Sequence, residues 1–465
     1  MYFWLLALIF LVLLINRAFP YFLHGPYGFG YDMGIYKKMF EGIKTLSDIR
    51  TSQVYFLPSF LAYVVNFLGI PLKFLLYYFY IFVSAFLAVP LYLLTKEYFG
   101  KKAAFISVVL FTISYVQVFA SEFYLFKAIL GATLMLFAFF YYVKKSYLFY
   151  LFAFLLAFTE LPQLLLLGFG IFVAVFFTEK KYLKFHVIGL AIMALGVGFL
   201  FFLTPQSFWD AVNVVINSIN GAQSYDAHRS GLFINLLDFL NLEFGIVLFG
   251  IAGFVMSIFD FRKTEIVKKL IPVWAATFLV FVIVFFKLFF ENRFIMELDL
   301  LLIPFAGYMA VRMFGNIVES RSFRIFSVIV ILFAVAFLDV WYYRTTYPAL
   351  TPHEVWALDV IREKTDSKYV MVVDTFYAPW MYGFSEKTAL APGIFETVWD
   401  FGTWLNYIKG TDDDKAKMLI DIAKKYGNYY LFMGFRDPKP DFSKYPANFK
   451  KVFEVQNATV NFVML

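Results

Sequence analysis

The strongest constraint on this chain is a series of long apolar segments. A helix needs roughly 20 apolar residues to cross the hydrocarbon core of a bilayer, which is about 30 Å thick. Residues of the AVILMFWYC class make up 62% of the chain and charged residues 16%, whereas soluble domains have about 45–50% and about 25%. We therefore expect an α-helical polytopic membrane protein with about 11 transmembrane helices. The candidate segments are about 2–22, 72–94, 103–120, 126–143, 146–159, 161–178, 185–204, 243–259, 270–290, 295–314 and 323–342.

Basic residues in the short connections predict the orientation of these segments. They are concentrated in alternate connections, which the positive-inside rule assigns to the cytoplasm. The first segment lacks a basic start and a small-residue cleavage site, so it is interpreted as an anchor. An odd number of spans then predicts a cytoplasmic N-terminus and an extracytoplasmic C-terminus. The basic set is Lys96, Lys101, Lys102, Lys144, Lys145, Lys180, Lys181, Lys184, Arg262, Lys263, Lys268, Lys269, Arg312, Arg321 and Arg324.

Three polar stretches are expected on the outer side: a loop at about 23–71, a second large loop at about 205–242, and a tail. The sequence therefore predicts a transmembrane domain over 1–344 and a small extracytoplasmic α/β domain over 345–465. Thr351, Pro352 and Glu354 have the spacing of a capping box that starts a helix. Further expected elements are strands at 369–374, 429–433, about 451–455 and about 459–464, and a helix at about 412–426.

The first outer loop contains the sequence HGPYGFGYDMGIY over residues 24–36. Its glycines and proline indicate a tight turn, and apolar residues at helical spacing follow it. Such a helix suits the membrane surface. Asp32 stands at the start of this helix. Its spacing favours an N-cap, and this is compatible with a general base at the mouth of a cavity.

Other ionisable residues lie close to predicted membrane edges. Arg293 could reach water from its span, or it could bind a phosphate through two parallel hydrogen bonds. Each of the remaining candidates has the same two interpretations, a solvated side chain or a functional one. They are Glu122 and Lys127 in a short outer turn, Glu160 between two apolar segments, and His228 and Arg229 in the second large loop.

Several kinds of site are excluded or disfavoured by the residues present. The chain has no cysteine, so it has no disulfide, thiolate nucleophile or cysteine metal site. It has no Walker phosphate loop, no HExxH and no GxSxG motif. Its four histidines lack the spacing of a metal site. The net charge of +7 is spread along the chain, so we expect no nucleic-acid partner, and no cofactor is required by any motif.

The order of these motifs resembles the GT-C superfamily of membrane glycosyltransferases, which includes protein O-mannosyltransferases, aminoarabinose transferases and archaeal and bacterial relatives. In that family an aspartate in the first outer loop is often followed by a tyrosine four positions on, as Asp32 is by Tyr36. The segments YFLPSF at 55–60, EFYLFKAILG at 122–131 and ENRFIMELDLLLIPFAGY at 291–308 resemble later motifs of the family.

The resemblance implies transfer of a sugar from a polyprenyl (dolichyl) phosphate to a hydroxyl of a lipid, glycan or protein on the outer face. Asp32 would be the base, and Arg293 with Lys127 would bind the donor phosphate. Tyr36, Glu122, Glu160, His228 and Arg229 are further candidates for substrate binding. A single base predicts inversion at the anomeric carbon. No metal ligand is assigned, and a divalent metal requirement stays open.

Two alternatives remain at this point. One is a transporter or flippase for a lipid-linked sugar, although the charges cluster at the outer edge rather than at the midplane that transporters favour. The other is a ligase or polymerase that joins glycans from a lipid pyrophosphate donor.

Overall fold

The computed structural model divides the chain into two compact units. The helical unit comprises 1–23, 40–221 and 233–345, and the sheet unit comprises 24–39, 222–232 and 346–465. The structure describes residues 2–52, 55–177, 179–206, 234–261, 266–288, 291–320, 350–392, 396–456 and 458–465, together with short pieces between 208 and 216 and between 322 and 333.

The first two thirds of the chain are helical. The helices are α1 Tyr2–His24, α2 Met33–Gly42, α3 Leu46–Thr51, α4 Phe56–Phe67, α5 Tyr80–Phe86, α6 Ala88–Ile113, α7 Tyr115–Glu122, α8 Phe126–Val143, α9 Leu148–Ala157, α10 Leu161–Phe176, α11 Lys180–Leu203, α12 Leu236–Leu242, α13 Phe244–Phe261, α14 Val267–Phe285 and α15 Glu291–Glu319. A π-helix at Phe74–Phe79 leads into α5.

In the described residues, seven helical stretches are long and apolar enough to cross a membrane. The expected number of eleven is not confirmed. The segments 72–94 and 103–120 fall mainly in a helical stretch, Phe74–Ile113. This stretch breaks at Gly100, between the two predicted segments, where a φ of 86° favours glycine. The segments 146–159 and 161–178 form the shorter helices α9 and α10. The segment 323–342 lies largely outside the described residues.

Close packing in the helical unit depends on small residues. A Cβ at Gly253 of α13 would lie 2.0 Å from the carbonyl oxygen of Phe305 in α15. A Cβ at Gly170 of α10 would lie 2.4 Å from the carbonyl oxygen of Pro272 in α14. Backbones approach closely only where side chains are absent, as is common between membrane helices.

The sheet unit contains a six-stranded sheet in the order β3-β2-β1-β4-β6-β5. The strands are β1 Tyr369–Val372, β2 Thr388–Ala391, β3 Glu396–Thr397, β4 Tyr429–Met433, β5 Phe449–Val455 and β6 Ala458–Val463. Strands β3, β2, β1 and β4 run parallel to one another, whereas β6 pairs antiparallel with both β4 and β5. Four helices accompany them: α16 Pro352–Glu363, α17 Ala378–Phe384, α18 Phe401–Lys409 and α19 Asp412–Tyr426.

The predicted elements of the tail are confirmed. The capping box of Thr351 and Glu354 is present at α16, and β1, β4, β5, β6 and α19 lie where the sequence placed them. Strands β2 and β3 and helices α17 and α18 were not anticipated. Segment 24–39, which the sequence assigns to the first outer loop, belongs to the same compact unit as the tail.

Candidate functional site

Asp32 lies in the sheet unit, directly before helix α2. Its backbone oxygen accepts a hydrogen bond from the Tyr36 N–H at 3.1 Å, which is the first bond of the helix. The Asp32 side chain is 9% exposed, and Tyr36 is buried beside it in the first turn. Asp32 therefore directly precedes the first residue of the helix, which is the N-cap position.

Lys127 and Glu160 meet in the helical unit. The Lys127 Nζ lies 3.5 Å from Glu160 Oε2 and 4.6 Å from the centre of the Tyr55 ring. Lys127 is the second residue of α8, and Glu160 directly precedes α10. The YFLPSF segment is held to this turn because the Leu57 N–H donates to the Phe158 carbonyl oxygen at 2.9 Å. The Glu160 carboxylate neutralises the Lys127 ammonium in this arrangement, so an anion would have to displace Glu160 in order to pair with Lys127.

Gln163 connects this pair to helix α15. Its Nε2 donates to Glu297 Oε1 at 2.6 Å and to the carbonyl oxygen of Ala128 at 2.9 Å. Glu297 interacts electrostatically with both Glu160 and Arg293. Arg293 lies one helical turn before Glu297. We name Lys127, Glu160, Gln163, Arg293 and Glu297 the polar cluster.

The sequence reasoning missed Gln163 and Glu297. Glu297 had a usable signal, because a carboxylate within an apolar span usually faces the protein interior and has a function. Gln163 had none, because an amide two residues into an apolar helix is not distinguished by charge or spacing.

A second buried polar group lies on another face of α15. The Asp299 Oδ2 lies 2.8 Å from Ser114 Oγ and 2.9 Å from Gln117 Nε2. The same Ser114 Oγ lies 2.9 Å from Glu243 Oε1. The Val116 N–H also donates to Glu243 Oε1 at 3.0 Å. This group ties α6, α7 and α15 to the start of α13. It was also missed by sequence reasoning.

An open apolar groove of about 290 Å³ lies between α10 and α11. Its lining contains only apolar residues and glycine from α10 and α11, starting at Leu161, which follows Glu160 in the chain: Leu161, Leu164, Leu165, Gly168, Leu190, Met193, Ala194 and Val197. The arrangement therefore places an apolar surface next to a charged one.

The structure distributes the predicted site residues over the two units. Lys127, Glu160 and Arg293 belong to the helical unit and contribute to the polar cluster, whereas Asp32 and Tyr36 belong to the sheet unit. Glu122 is half-buried at the end of α7 in the helical unit. His228 and Arg229 lie outside the described residues. No group of three or more potential metal ligands occurs among the residues that the structure describes.

Comparisons with known proteins identify the fold. No protein-family model and no curated protein sequence matches the chain. The apo structure of the Archaeoglobus fulgidus oligosaccharyltransferase is similar over 94% of this chain and 70% of that one, with a TM-score of 0.65 and 13% identity. The same organism's oligosaccharyltransferase AglB, in complex with an inhibitory peptide and a dolichol-phosphate, gives a TM-score of 0.60 at 13% identity over 92% of this chain and 69% of that one.

A third similar structure is apo ArnT from Cupriavidus metallidurans. It covers 98% of this chain and 97% of that one, with a TM-score of 0.56 and 13% identity. These neighbours are GT-C glycosyltransferases, and the chain has the GT-C fold, as the resemblance implied. One Archaeoglobus structure is a complex with Zn and sulfate.

Proposed function

We propose that this protein is a membrane glycosyltransferase that moves a sugar from a polyprenyl (dolichyl) phosphate to an acceptor hydroxyl. The observation that carries the proposal is the polar cluster in a GT-C fold, with an open apolar groove that begins at Leu161, the residue after Glu160. A lipid phosphate combines the same two features, an anionic head and an apolar chain. The solved AglB complex with a dolichol-phosphate supports a donor of this class.

The reaction requires one displacement at the anomeric carbon. The acceptor oxygen forms a bond to that carbon while its proton passes to the Asp32 carboxylate. The bond from the anomeric carbon to the phosphate oxygen breaks, and polyprenyl phosphate leaves with its electron pair. Displacement from the opposite face inverts the anomeric configuration.

Charge stabilisation is assigned to Lys127 and Arg293. The phosphate gains negative charge as it leaves, and cations aimed at developing charge are usually a large part of catalysis. Arginine offers a planar fork that matches phosphate, and lysine offers a compact charge. When the donor binds, Lys127 would exchange its contact with Glu160 for one with the donor phosphate. Glu122 and Tyr36 are candidates for contacting the substrates.

We propose that the reaction occurs on the extracytoplasmic face and that the N-terminus is in the cytoplasm, which the distribution of basic residues supports. The acceptor is a hydroxyl of a lipid, glycan or protein.

The first test replaces Asp32 with asparagine, which preserves size and removes the base. We expect Asp32→Asn to lower transfer by about 10²- to 10⁴-fold, the usual contribution of a general base, with donor affinity unchanged. Asp421→Asn is the control, because Asp421 makes only an exposed ion pair with Lys424, and such pairs contribute little. The measurement is release of polyprenyl phosphate from a panel of polyprenyl-phosphate sugars.

The second arm separates donor binding from catalysis. Arg293→Ala should weaken donor binding by about 10- to 100-fold, the equivalent of a hydrogen bond to a charged group. Wild-type turnover by Asp32→Asn would overturn the assignment of the base. Flux of unmodified substrate across sealed vesicles would indicate the transporter instead, and a strict requirement for a pyrophosphate donor would indicate the ligase or polymerase.

A further inference from the structure

We infer that the sheet unit positions Asp32, and that Gly34 and Gly383 are the positioning residues. This inference rests on the proposed function, in which Asp32 is the base. Segment 24–39 packs within the sheet unit against helix α17 and the turn that follows β1. The placement of Asp32 is therefore determined by residues more than 300 positions away in the sequence.

The first contact is a crossing of α2 and α17 with no side chains between them. A Cβ built on Gly34 would lie 1.9 Å from the carbonyl oxygen of Pro379. A Cβ built on Gly383 would lie 2.4 Å from the carbonyl oxygen of Gly34. Both distances are to backbone atoms, so any larger residue must move one helix away from the other. Gly34 is two residues from Asp32, and such a movement would carry Asp32 with it.

The Lys37 side chain of α2 also holds this helix against α17. Its Nζ donates to the carbonyl oxygen of Gly383 at 2.8 Å and lies 5.0 Å from the centre of the Phe384 ring. The carbonyl is near the C-terminus of α17, where the helix dipole favours a cation. This contact sets the rotation of α2, as well as its distance from α17.

Tyr31 provides the second contact, at the edge of the sheet. Strand β2, the next in the chain, lies on one side of β1, and β4 lies on the opposite side of β1. The strand order therefore reverses at β1. Open α/β sheets bind their ligands at the carboxyl ends of strands where the order reverses in this way. Here the Tyr31 hydroxyl donates to the Thr375 carbonyl oxygen at 3.3 Å, and its ring lies 6.1 Å from that of Phe376.

Tyr31 is 4% exposed. Its side chain therefore occupies the edge at which other α/β sheets bind a ligand. Asp32 is thus fixed on both sides, by Tyr31 before it and by Gly34 after it. In a positioned catalytic group, a misplacement of about 1 Å costs about 100-fold in rate.

The absence of cysteine from the sequence permits a direct test of position. Met33, next to Asp32, is 0% exposed, and Met33→Cys gives a full-length protein with a single thiol. Maleimide labelling of that thiol is compared in the parent background and with Gly34→Ala, Gly383→Ala or Gly402→Ala added. Gly402 is the matched control, because its Cβ would lie 3.6 Å from the nearest atom, an ordinary contact.

We expect faster labelling with Gly34→Ala and Gly383→Ala and unchanged labelling with Gly402→Ala. In the natural Met33 background, the first two variants should lower kcat by about 100-fold and leave the affinity for polyprenyl phosphate unchanged. Unchanged labelling in both glycine variants would overturn the inference, as would faster labelling with an unchanged kcat. If wild type transfers no sugar, the proposed function fails, and the labelling result still decides how segment 24–39 is held.

Discussion

The surroundings of Asp437 in the sheet unit raise the pKa of its carboxyl group. Its Oδ2 accepts from the Gly434 N–H at 2.8 Å, and its Oδ1 accepts from the Asp374 N–H at 3.1 Å. Burial, followed by the nearby Asp374 carboxylate, raises the pKa of Asp437 to about 8. This carboxyl links the ends of β4 and β1, next to the residues that contact Tyr31. Protonation of Asp437 therefore contributes to the stability of that edge.

The stability of the sheet unit should consequently fall as pH rises from about 4 to about 8. In this window the folded protein holds a proton on Asp437 that the unfolded chain, with a pKa near 3.8, has released. Since the folded state binds more protons, stability decreases with pH, and above pH 8 the effect is complete. We expect Asp437→Asn to reduce this decline in melting temperature between pH 5 and pH 8. An equal decline in wild type and variant would contradict the assignment, and Asp421→Asn serves as control.

At the scale of residues, charge allowed some candidate site residues to be selected from the sequence, whereas uncharged ones could not be selected. Lys127, Glu160 and Arg293 could be selected because an ionisable group at a membrane edge is unusual in sequence. Ser114 and Gln117 could not, because their importance lies in contacting Asp299, more than 180 positions away.

At the scale of elements, the long apolar helices and capped helices were predictable because their signals are local. Hydrophobic length identified α8 and α11, and the Thr351–Glu354 capping box identified the start of α16. Strand β2 has four residues, too few for a periodic pattern, and it is defined by its pairing with β1. The division of 72–113 into two segments was predictable because Lys96, Lys101 and Lys102 interrupt the apolar composition, and the helix breaks at Gly100 between them.

A pair of glycines in α13 tests helix packing at this scale. Gly253→Ala should destabilise the helical unit by about 1–3 kcal/mol, the usual cost of overpacking, because the new Cβ would meet the Phe305 carbonyl oxygen at 2.0 Å. Gly245→Ala in the same helix should be neutral or stabilising, because nothing lies within 4 Å of its Cβ and alanine is the better helix former. Thermal unfolding in detergent would measure both, and equal melting temperatures would contradict this account of the packing.

At the scale of the whole molecule, the candidate base belongs to the same compact unit as the tail. The order of the sequence alone assigns residues 24–39 to an outer loop of the transmembrane domain. The assignment changes because of contacts such as Tyr31 with Thr375, which no periodicity or composition reports. The distribution of basic residues still gives a definite expectation for where this unit lies.

That expectation is that the sheet unit is extracytoplasmic, on the side where the proposed reaction occurs. Single cysteines test it, because the natural chain has none. Lys424, on a helix of the sheet unit, is 64% exposed, and Lys101 is exposed in a connection expected to be cytoplasmic. In intact cells a membrane-impermeant maleimide should label Lys424→Cys, and it should label Lys101→Cys only after permeabilisation. The reverse pattern would place Asp32 on the cytoplasmic side, since it shares a compact unit with Lys424, and would require a donor presented on that face.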